Sequence, residues 1–116
     1  AIRAYEQVVA DFKTGDMDAA SAKSRAASYE LQLVSYALAA EALTGRRVRS
    51  TRVIFTGPAC AVDGAMTNSR RTEGLARVER IIESVNRSDF SRPENPPCET
   101  CPYHQNGMCW EDKLRR

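Results

Sequence analysis

The sequence predicts an α/β domain in which helices pack against a small sheet. Two short runs rich in β-branched residues alternate with two longer helical stretches, an order typical of α/β and α+β folds. A length of 116 residues suits one hydrophobic core, and 42% hydrophobic with 28% charged residues indicates a globular chain. A cysteine-rich coil follows the last helical stretch. We therefore expect one domain, with a core in residues 1–97 and a cysteine knuckle and tail in residues 98–116.

Charge and cysteine usage narrow the class of protein. The net charge of +2 excludes a strongly basic nucleic-acid coat but leaves room for a local patch. No apolar run reaches the roughly 20 residues of a membrane span, so we expect no membrane partner. Four unevenly spaced cysteines without a leader favour a reducing compartment, and we expect the cytoplasm. Because the chain begins at Ala1 rather than Met, we expect a piece of a longer protein.

The first strand is predicted over residues 6–13, where an apolar run is ended by the turn-forming residues 14–16. Side chains alternate across a strand, so Asp11 and Lys13 share one face at its carboxyl end. An acid beside an amine can hold a divalent metal and a water or phosphate. Alone, the pair is common, and a solvent-facing ion pair on an edge strand is the more frequent explanation.

The first helix is predicted over residues 26–44, after a polar loop in residues 16–25, with Gly45 as its C-cap. We expect this helix to pack on the sheet through an apolar stripe at helical spacing: Leu33, Tyr36, Ala37, Ala40 and Leu43. Gln32 and Tyr36 are four residues apart and share a face, where they could contact a DNA phosphate and steady the lysine. A partly buried pair without a ligand is the alternative.

The second strand is predicted over residues 50–56 and is stopped by Gly57-Pro58, and residues 59–68 suggest a short strand or hairpin return. A second helix is predicted from Ser69 to Asn86. Its expected buried stripe is Leu75, Val78, Ile82 and Val85.

Four arginines gather where the first helix meets the second strand: Arg46, Arg47, Arg49 and Arg52. Guanidinium groups bind phosphates well, so Arg46, Arg47 and Arg49 are weak candidates for DNA contact. A solvated turn is the more frequent explanation.

The combination of motifs is more specific than any one of them. Residues 8–15, which contain Asp11-Phe12-Lys13-Thr14-Gly15, and the helix that carries Gln32 and Tyr36 resemble the nuclease domain of the RecB-like branch of the PD-(D/E)XK superfamily. The resemblance runs from about residue 8 to residue 109. It implies a restriction-endonuclease-like core, a small mixed sheet flanked by helices, of which this chain would be only the C-terminal part.

The tail adds a second resemblance. Cys98, Cys101 and Cys109 are similar to the three-cysteine knuckle of the iron–sulfur members of that branch, the AddB-type helicase–nuclease subunits and the small CRISPR-associated nucleases. The resemblance implies a 4Fe–4S cluster, because soft thiolates suit iron, with its fourth cysteine upstream of this chain. Cys60 and His104 are the alternatives on this chain, and His104 would complete a structural Zn²⁺ site. A lone Cys60 is more often a buried small hydrophobe.

The resemblance also implies an activity. Asp11 and the backbone carbonyl of Phe12 would bind Mg²⁺ or Mn²⁺, Lys13 would orient or deprotonate a water, and Gln32 and Tyr36 would hold the strand or buttress Lys13. The expected reaction is DNA phosphodiester hydrolysis in repair or recombination, by a RecB-like exonuclease fused to or partnered with a helicase. A second Asp is expected upstream, so the chain alone should have little activity. The alternative is an inactive, nuclease-like module that binds DNA or docks a partner and is stabilised by a structural zinc ion or iron–sulfur cluster.

Overall fold

A mixed three-stranded sheet forms the centre of the protein. The structure is a computed structural model that describes residues 6–91 and 94–109. Strands β1 (Glu6–Lys13), β2 (Arg47–Phe55) and β3 (Cys60–Ala65) lie in the order β1-β2-β3. The pair β1/β2 is parallel and the pair β2/β3 is antiparallel. With helices packed beside this sheet, the predicted α/β class is confirmed.

Parallel pairing of β1 and β2 requires a crossover, and helices supply it. A single helix was expected over residues 26–44, but the structure has two, α1 (Ala22–Ala27) and α2 (Glu30–Thr44). The first helix ends at a turn formed by Ser28 and Tyr29, where the Tyr29 backbone leaves helical values with φ of −100° and ψ of 10°. The Ser28 hydroxyl donates to the Arg25 carbonyl at 2.6 Å within this turn. The predicted C-cap is confirmed, since Gly45 adopts a left-handed conformation with φ of 67°.

The second strand is longer than predicted, because β2 begins at Arg47 rather than at residue 50. Pairing with β1 from Glu6 onward extends it, a tertiary cause that local composition does not show. The weakly indicated return in residues 59–68 is a strand, β3, whose first residue pairs with Phe55. The arginine-rich junction is thus mostly strand.

The helices α1 and α2 cover one face of the sheet and enclose the core. Its buried residues form two neighbouring clusters: Ala22, Ala26, Leu33, Val53 and Phe55, and Val34, Ala37, Val48 and Met66. Leu33 and Ala37 are buried as predicted, but Tyr36 is 46% and Leu43 is 87% exposed. The stripe was therefore partly wrong, because α2 turns Val34 rather than Tyr36 toward the core. The opposite sheet face is open to solvent at Phe12, which is 65% exposed.

Helix α3 (Asn68–Asn86) packs differently from the prediction. Its N-cap is Thr67 rather than Ser69, and the Thr67 hydroxyl accepts from the Arg70 amide at 3.1 Å. The expected buried stripe is mostly wrong, since Leu75, Ile82 and Val85 are each about half exposed and only Val78 is partly buried. The buried residue is Gly74, and a methyl group there would overlap the Val34 side chain. The first turns of α3 therefore cross α2 closely, and the rest of α3 carries its apolar residues at the surface.

The cysteine-rich segment is built from short turns. A 3₁₀ turn spans Cys98–Thr100 and a one-turn helix, α4, spans Pro102–Gln105. Residues 1–5 and 110–116, which the predicted core and tail include, lie outside the described residues. Within the described residues, each helix is too short or too polar to cross a membrane.

Candidate active site

Asp11 and Lys13 lie at the carboxyl end of β1, on the face covered by helices. In the parallel register Asp11 pairs with Val53 and Lys13 with Phe55, and both partners are buried in the core beneath α1 and α2. Paired residues of neighbouring strands point to the same face, so the two charged side chains project toward the helices. The prediction that they share a face is confirmed, and that face is the covered one.

The Lys13 ammonium bridges the strand and helix α2. Its Nζ atom lies 2.9 Å from Asp11 Oδ2 and donates a hydrogen bond of 2.7 Å to Gln32 Oε1. Asp11 and Lys13 are each only about a fifth exposed, so water screens the ion pair little. The structure thus brings together three of the residues that the sequence singled out.

The environment keeps Lys13 positively charged. The pKa of Lys13 is raised from its ordinary value of 10.5, first by the hydrogen bond to Asp11, against an opposing effect of burial. The charge of Asp11 adds to the increase. At neutral pH the side chain is therefore an ammonium ion that donates hydrogen bonds, rather than a free amine that could accept a proton.

Asp11 Oδ2 is buried beside the Lys13 ammonium. Within the part of the chain that the structure describes, its Oδ2 atom is buried and has no hydrogen bond of good geometry, although the ammonium lies close to it. Buried polar atoms normally have a partner, and here the Lys13 ammonium supplies a cationic one. The remaining lone pairs of the carboxylate could also accept a divalent metal. The donor chemistry at Asp11 therefore fits a divalent metal.

The Phe12 carbonyl is oriented to add a second oxygen. The Lys13 carbonyl accepts from the Thr56 amide at 3.0 Å and so points toward β2. Because successive carbonyls of a strand point in opposite directions, the Phe12 carbonyl faces the other edge of β1, where no further strand lies among residues 6–91 and 94–109. Over the same residues, no three carboxylate, imidazole or thiol groups converge as a complete metal site.

Two tyrosines lie near the Lys13 ammonium, and only Tyr36 was indicated by the sequence. Tyr36, one turn beyond Gln32, is 46% exposed, which leaves its phenol open to solvent beside the site. Tyr29, which sequence reasoning missed, places its ring centroid 4.4 Å from Lys13 Nζ. The spacing of Tyr29 could have indicated this contact, because Tyr29 precedes Gln32 by three residues and both therefore fall on one side of α2.

The arginine cluster lies at the other end of the sheet. Arg47 pairs with Glu6 at the start of both strands, whereas Lys13 pairs with Phe55 at their far ends, roughly 20 Å away at about 3.3 Å per residue. Arg46 donates to the Glu6 carbonyl at 3.0 Å, and Arg49 is exposed. The structure therefore does not bring Arg46, Arg47 and Arg49 to the Asp11–Lys13 site.

The tail cysteines share one cavity. Cys98, Cys101, His104 and Cys109 line a space of about 290 Å³, together with Phe90 and two prolines. Cys60 lies elsewhere, at the start of β3, and packs against the core cluster as the small hydrophobe that the sequence suggested. The donor set suits a soft metal, although within the described residues no three of these groups approach one another closely enough to bind one.

Comparison with known proteins agrees with this geometry. A family model described as the PD-(D/E)XK nuclease superfamily matches residues 3–106. The match covers both strands that pair in parallel, the helix that carries Gln32, and most of the cysteine segment. No curated protein matches the chain with significant similarity.

Proposed function

The chain belongs to the PD-(D/E)XK nuclease superfamily, and from this membership we propose that it forms the catalytic part of a metal-dependent nuclease that hydrolyses DNA phosphodiesters. The main observation in support of this proposal is that Lys13 Nζ lies 2.9 Å from Asp11 Oδ2 and 2.7 Å from Gln32 Oε1. A structural ion pair on an edge strand needs neither the burial of both side chains nor a second partner from α2. Both features suit a site that receives a cation and a phosphate.

Asp11 and the Phe12 carbonyl are the proposed metal-binding groups. The Asp11 carboxylate has lone pairs beyond its contact with Lys13, and the Phe12 carbonyl is turned away from β2. When bound there, Mg²⁺ or Mn²⁺ would supply a Lewis acid that neutralises charge on the scissile phosphate and lowers the pKa of a water. One carboxylate holds Mg²⁺ weakly, so further ligands must come from waters or from carboxylates outside the described residues.

Lys13 is the proposed electrostatic catalyst. As an ammonium it can donate to the attacking water or to a phosphate oxygen and stabilise the negative charge that develops there. Gln32 holds the ammonium at a fixed place through its 2.7 Å hydrogen bond, so the donor is oriented before the substrate arrives. Tyr36 is exposed one turn away and can reach a substrate phosphate with its hydroxyl.

A finer proposal concerns the biological setting. We place the protein in the RecB-like branch, as a repair or recombination nuclease that acts with a helicase domain or subunit and works in the cytoplasm. The support is the pairing of the Asp11-Phe12-Lys13 segment with Gln32 and Tyr36 on the next helix, together with the cysteine-rich tail. The weak arginine candidates Arg46, Arg47 and Arg49 would contact DNA only at a distance from the cleavage site.

The tail is proposed to hold a 4Fe–4S cluster through Cys98, Cys101 and Cys109, with Zn²⁺ and His104 as the alternative. The shared cavity and the three thiols support a soft metal. Metal analysis and absorption spectra of anaerobically purified full-length protein test this assignment. We expect iron and a brown chromophore that Cys101→Ser abolishes. Zinc in a colourless protein would contradict the cluster and support the alternative.

The activity is tested by Mg²⁺-dependent degradation of labelled DNA by the full-length protein. Replacing Lys13 by Ala should lower kcat by about 10²–10³-fold, the usual loss when one electrostatic donor is removed. The exposed Lys23, replaced in the same way, is the matched control and should have little effect. DNA binding without any Mg²⁺-dependent cleavage by the wild type would refute the proposal and favour an inactive, DNA-binding module.

A further inference from the structure

The ring of Tyr29 is a third partner of the Lys13 ammonium. Its centroid lies 4.4 Å from Nζ, within the roughly 6 Å over which an ammonium is attracted to an aromatic face. The other two partners are oxygens, Asp11 Oδ2 and Gln32 Oε1. Lysine has three N–H donors, so the contacts with two oxygens leave one donor for a substrate, and the ring attracts the charge of the group as a whole.

The backbone holds Tyr29 in a fixed place. Its amide donates to the Ala26 carbonyl at 3.0 Å, and its carbonyl accepts from the Leu33 amide at 3.0 Å. The residue therefore joins the end of α1 to the start of α2. Its half-buried side chain packs against the core cluster that includes Leu33 and Phe55. A ring anchored in this way can restrain a neighbouring flexible side chain.

Lys13 needs such a restraint. Its side chain has four rotatable bonds, and an ammonium held only by Asp11 and Gln32 could still turn toward solvent. A ring attracts the whole charge of the ammonium and does not need one directed N–H, so the contact can persist while an N–H donates to a phosphate oxygen. The ring would thus keep the ammonium in place before and during the reaction.

We propose that Tyr29 is a positioning residue for Lys13, whose aromatic face keeps the ammonium beside Asp11 and Gln32 before and after a substrate phosphate binds. The role of Tyr29 in the reaction rests on the proposed nuclease function. Its physical content, contact between ring and ammonium, can be measured without any reaction. The hydroxyl of Tyr29 has no part in this role, so phenylalanine should replace it.

The contact is tested by NMR on the full-length protein with labelled lysine, in the absence of DNA. The Lys13 Hε resonance should be shifted upfield by the ring current, and the shift should persist in Tyr29→Phe and disappear in Tyr29→Leu. Leu43→Ala, a truncation at an 87% exposed position of α2, should leave the resonance unchanged. An unchanged Lys13 resonance in Tyr29→Leu would overturn the inference.

The catalytic consequence is tested by incorporating mono-, di- and trifluorinated phenylalanine at position 29. Fluorine withdraws charge from the ring face with little change of shape, so the fold is retained while the attraction weakens stepwise. We expect kcat to fall in steps to about one-tenth of the phenylalanine variant, with KM changed less than about twofold. An unchanged kcat in all the fluorinated variants would overturn the inference. Absence of cleavage by the wild type would instead overturn the proposed function, and the NMR result would stand.

Discussion

Replacing Arg71 by Met should strongly destabilise the protein, because one guanidinium connects three elements around the core. Arg71 Nε and Nη2 donate to the two carboxylate oxygens of Glu41 at 3.0 Å each. The same group donates to the Met66 carbonyl at 2.8 Å and to the Val48 carbonyl at 2.7 Å. Glu41 in turn accepts from the Val48 amide at 2.9 Å. Helix α3 is thereby fastened to α2 and to the start of β2.

The expected loss follows from the burial of the pair. The Arg71 and Glu41 side chains are 17% and 21% exposed, so their ion pair lies between the fully buried and the exposed pairs whose energies are known. Breaking a fully buried pair from one side costs about 3–5 kcal/mol, whereas an exposed pair is worth about 0–1 kcal/mol. Partial access of water to Glu41 lowers the penalty, so we expect a loss of about 2–3 kcal/mol in the free energy of unfolding. Methionine keeps the apolar part of the stem, which limits any added loss of packing.

Urea unfolding followed by circular dichroism measures this loss, provided that the slope against denaturant is unchanged. Arg87→Met is the matched control, because Arg87 pairs with Glu83 on the same helix at 3.5 Å with both side chains more than 60% exposed. It should lower the free energy of unfolding by less than about 0.5 kcal/mol. Equal losses in the two variants would refute the reasoning that burial sets the strength of the Arg71–Glu41 pair.

Three further predictions concern the same packed region. The hydrogen bond from Arg71 lowers the pKa of Glu41 below its ordinary value of 4.5, so the pair stabilises the fold above about pH 4.5 and loses this contribution as the pH falls through the lower pKa of the folded state. When the free energy of unfolding is measured against pH, Arg71→Met should therefore show a smaller decrease on the acid side than the wild type. Gly74→Ala should destabilise by about 1–3 kcal/mol in urea unfolding, since the added methyl overlaps Val34; a neutral or stabilising effect would show that α2 and α3 can separate freely. Thr67→Ala should lower the free energy of unfolding by about 1 kcal/mol through loss of the N-cap of α3, and Thr67→Ser should restore it.

The elements that local pattern predicted best were those whose sequence signal is strong at short range. The first strand matches its prediction over Glu6–Lys13, because an apolar run ends in residues that favour a turn. Gly45 ends α2 as expected, since few other residues adopt its left-handed backbone. The break at Ser28 was missed, because alanine-rich flanks favour a continuous helix and nothing in the local pattern marks the non-helical backbone of Tyr29.

Helix α3 shows why burial could not be read from the pattern of apolar residues. Leu75, Ile82 and Val85 follow helical spacing, yet each is about half exposed. A periodic stripe predicts which residues share a face, but the position of the neighbouring helix decides which face is covered. Here the close approach occurs at Gly74, where the absence of a side chain lets α2 come near, and this feature carries no hydrophobic signal.

The sequence by itself determined the α/β class, the position of Asp11 and Lys13 on one strand face, and the position of Gln32 on the helix that follows. Such features depend on alternation along a strand and periodicity along a helix, which are properties of residues close together in the chain. The tertiary structure alone decided that Lys13 Nζ meets Gln32 and the ring of Tyr29, and that the arginine cluster lies at the far end of the sheet. Parallel pairing of β1 with β2 is the physical reason, because it fixes which ends of distant segments come together and which stay apart.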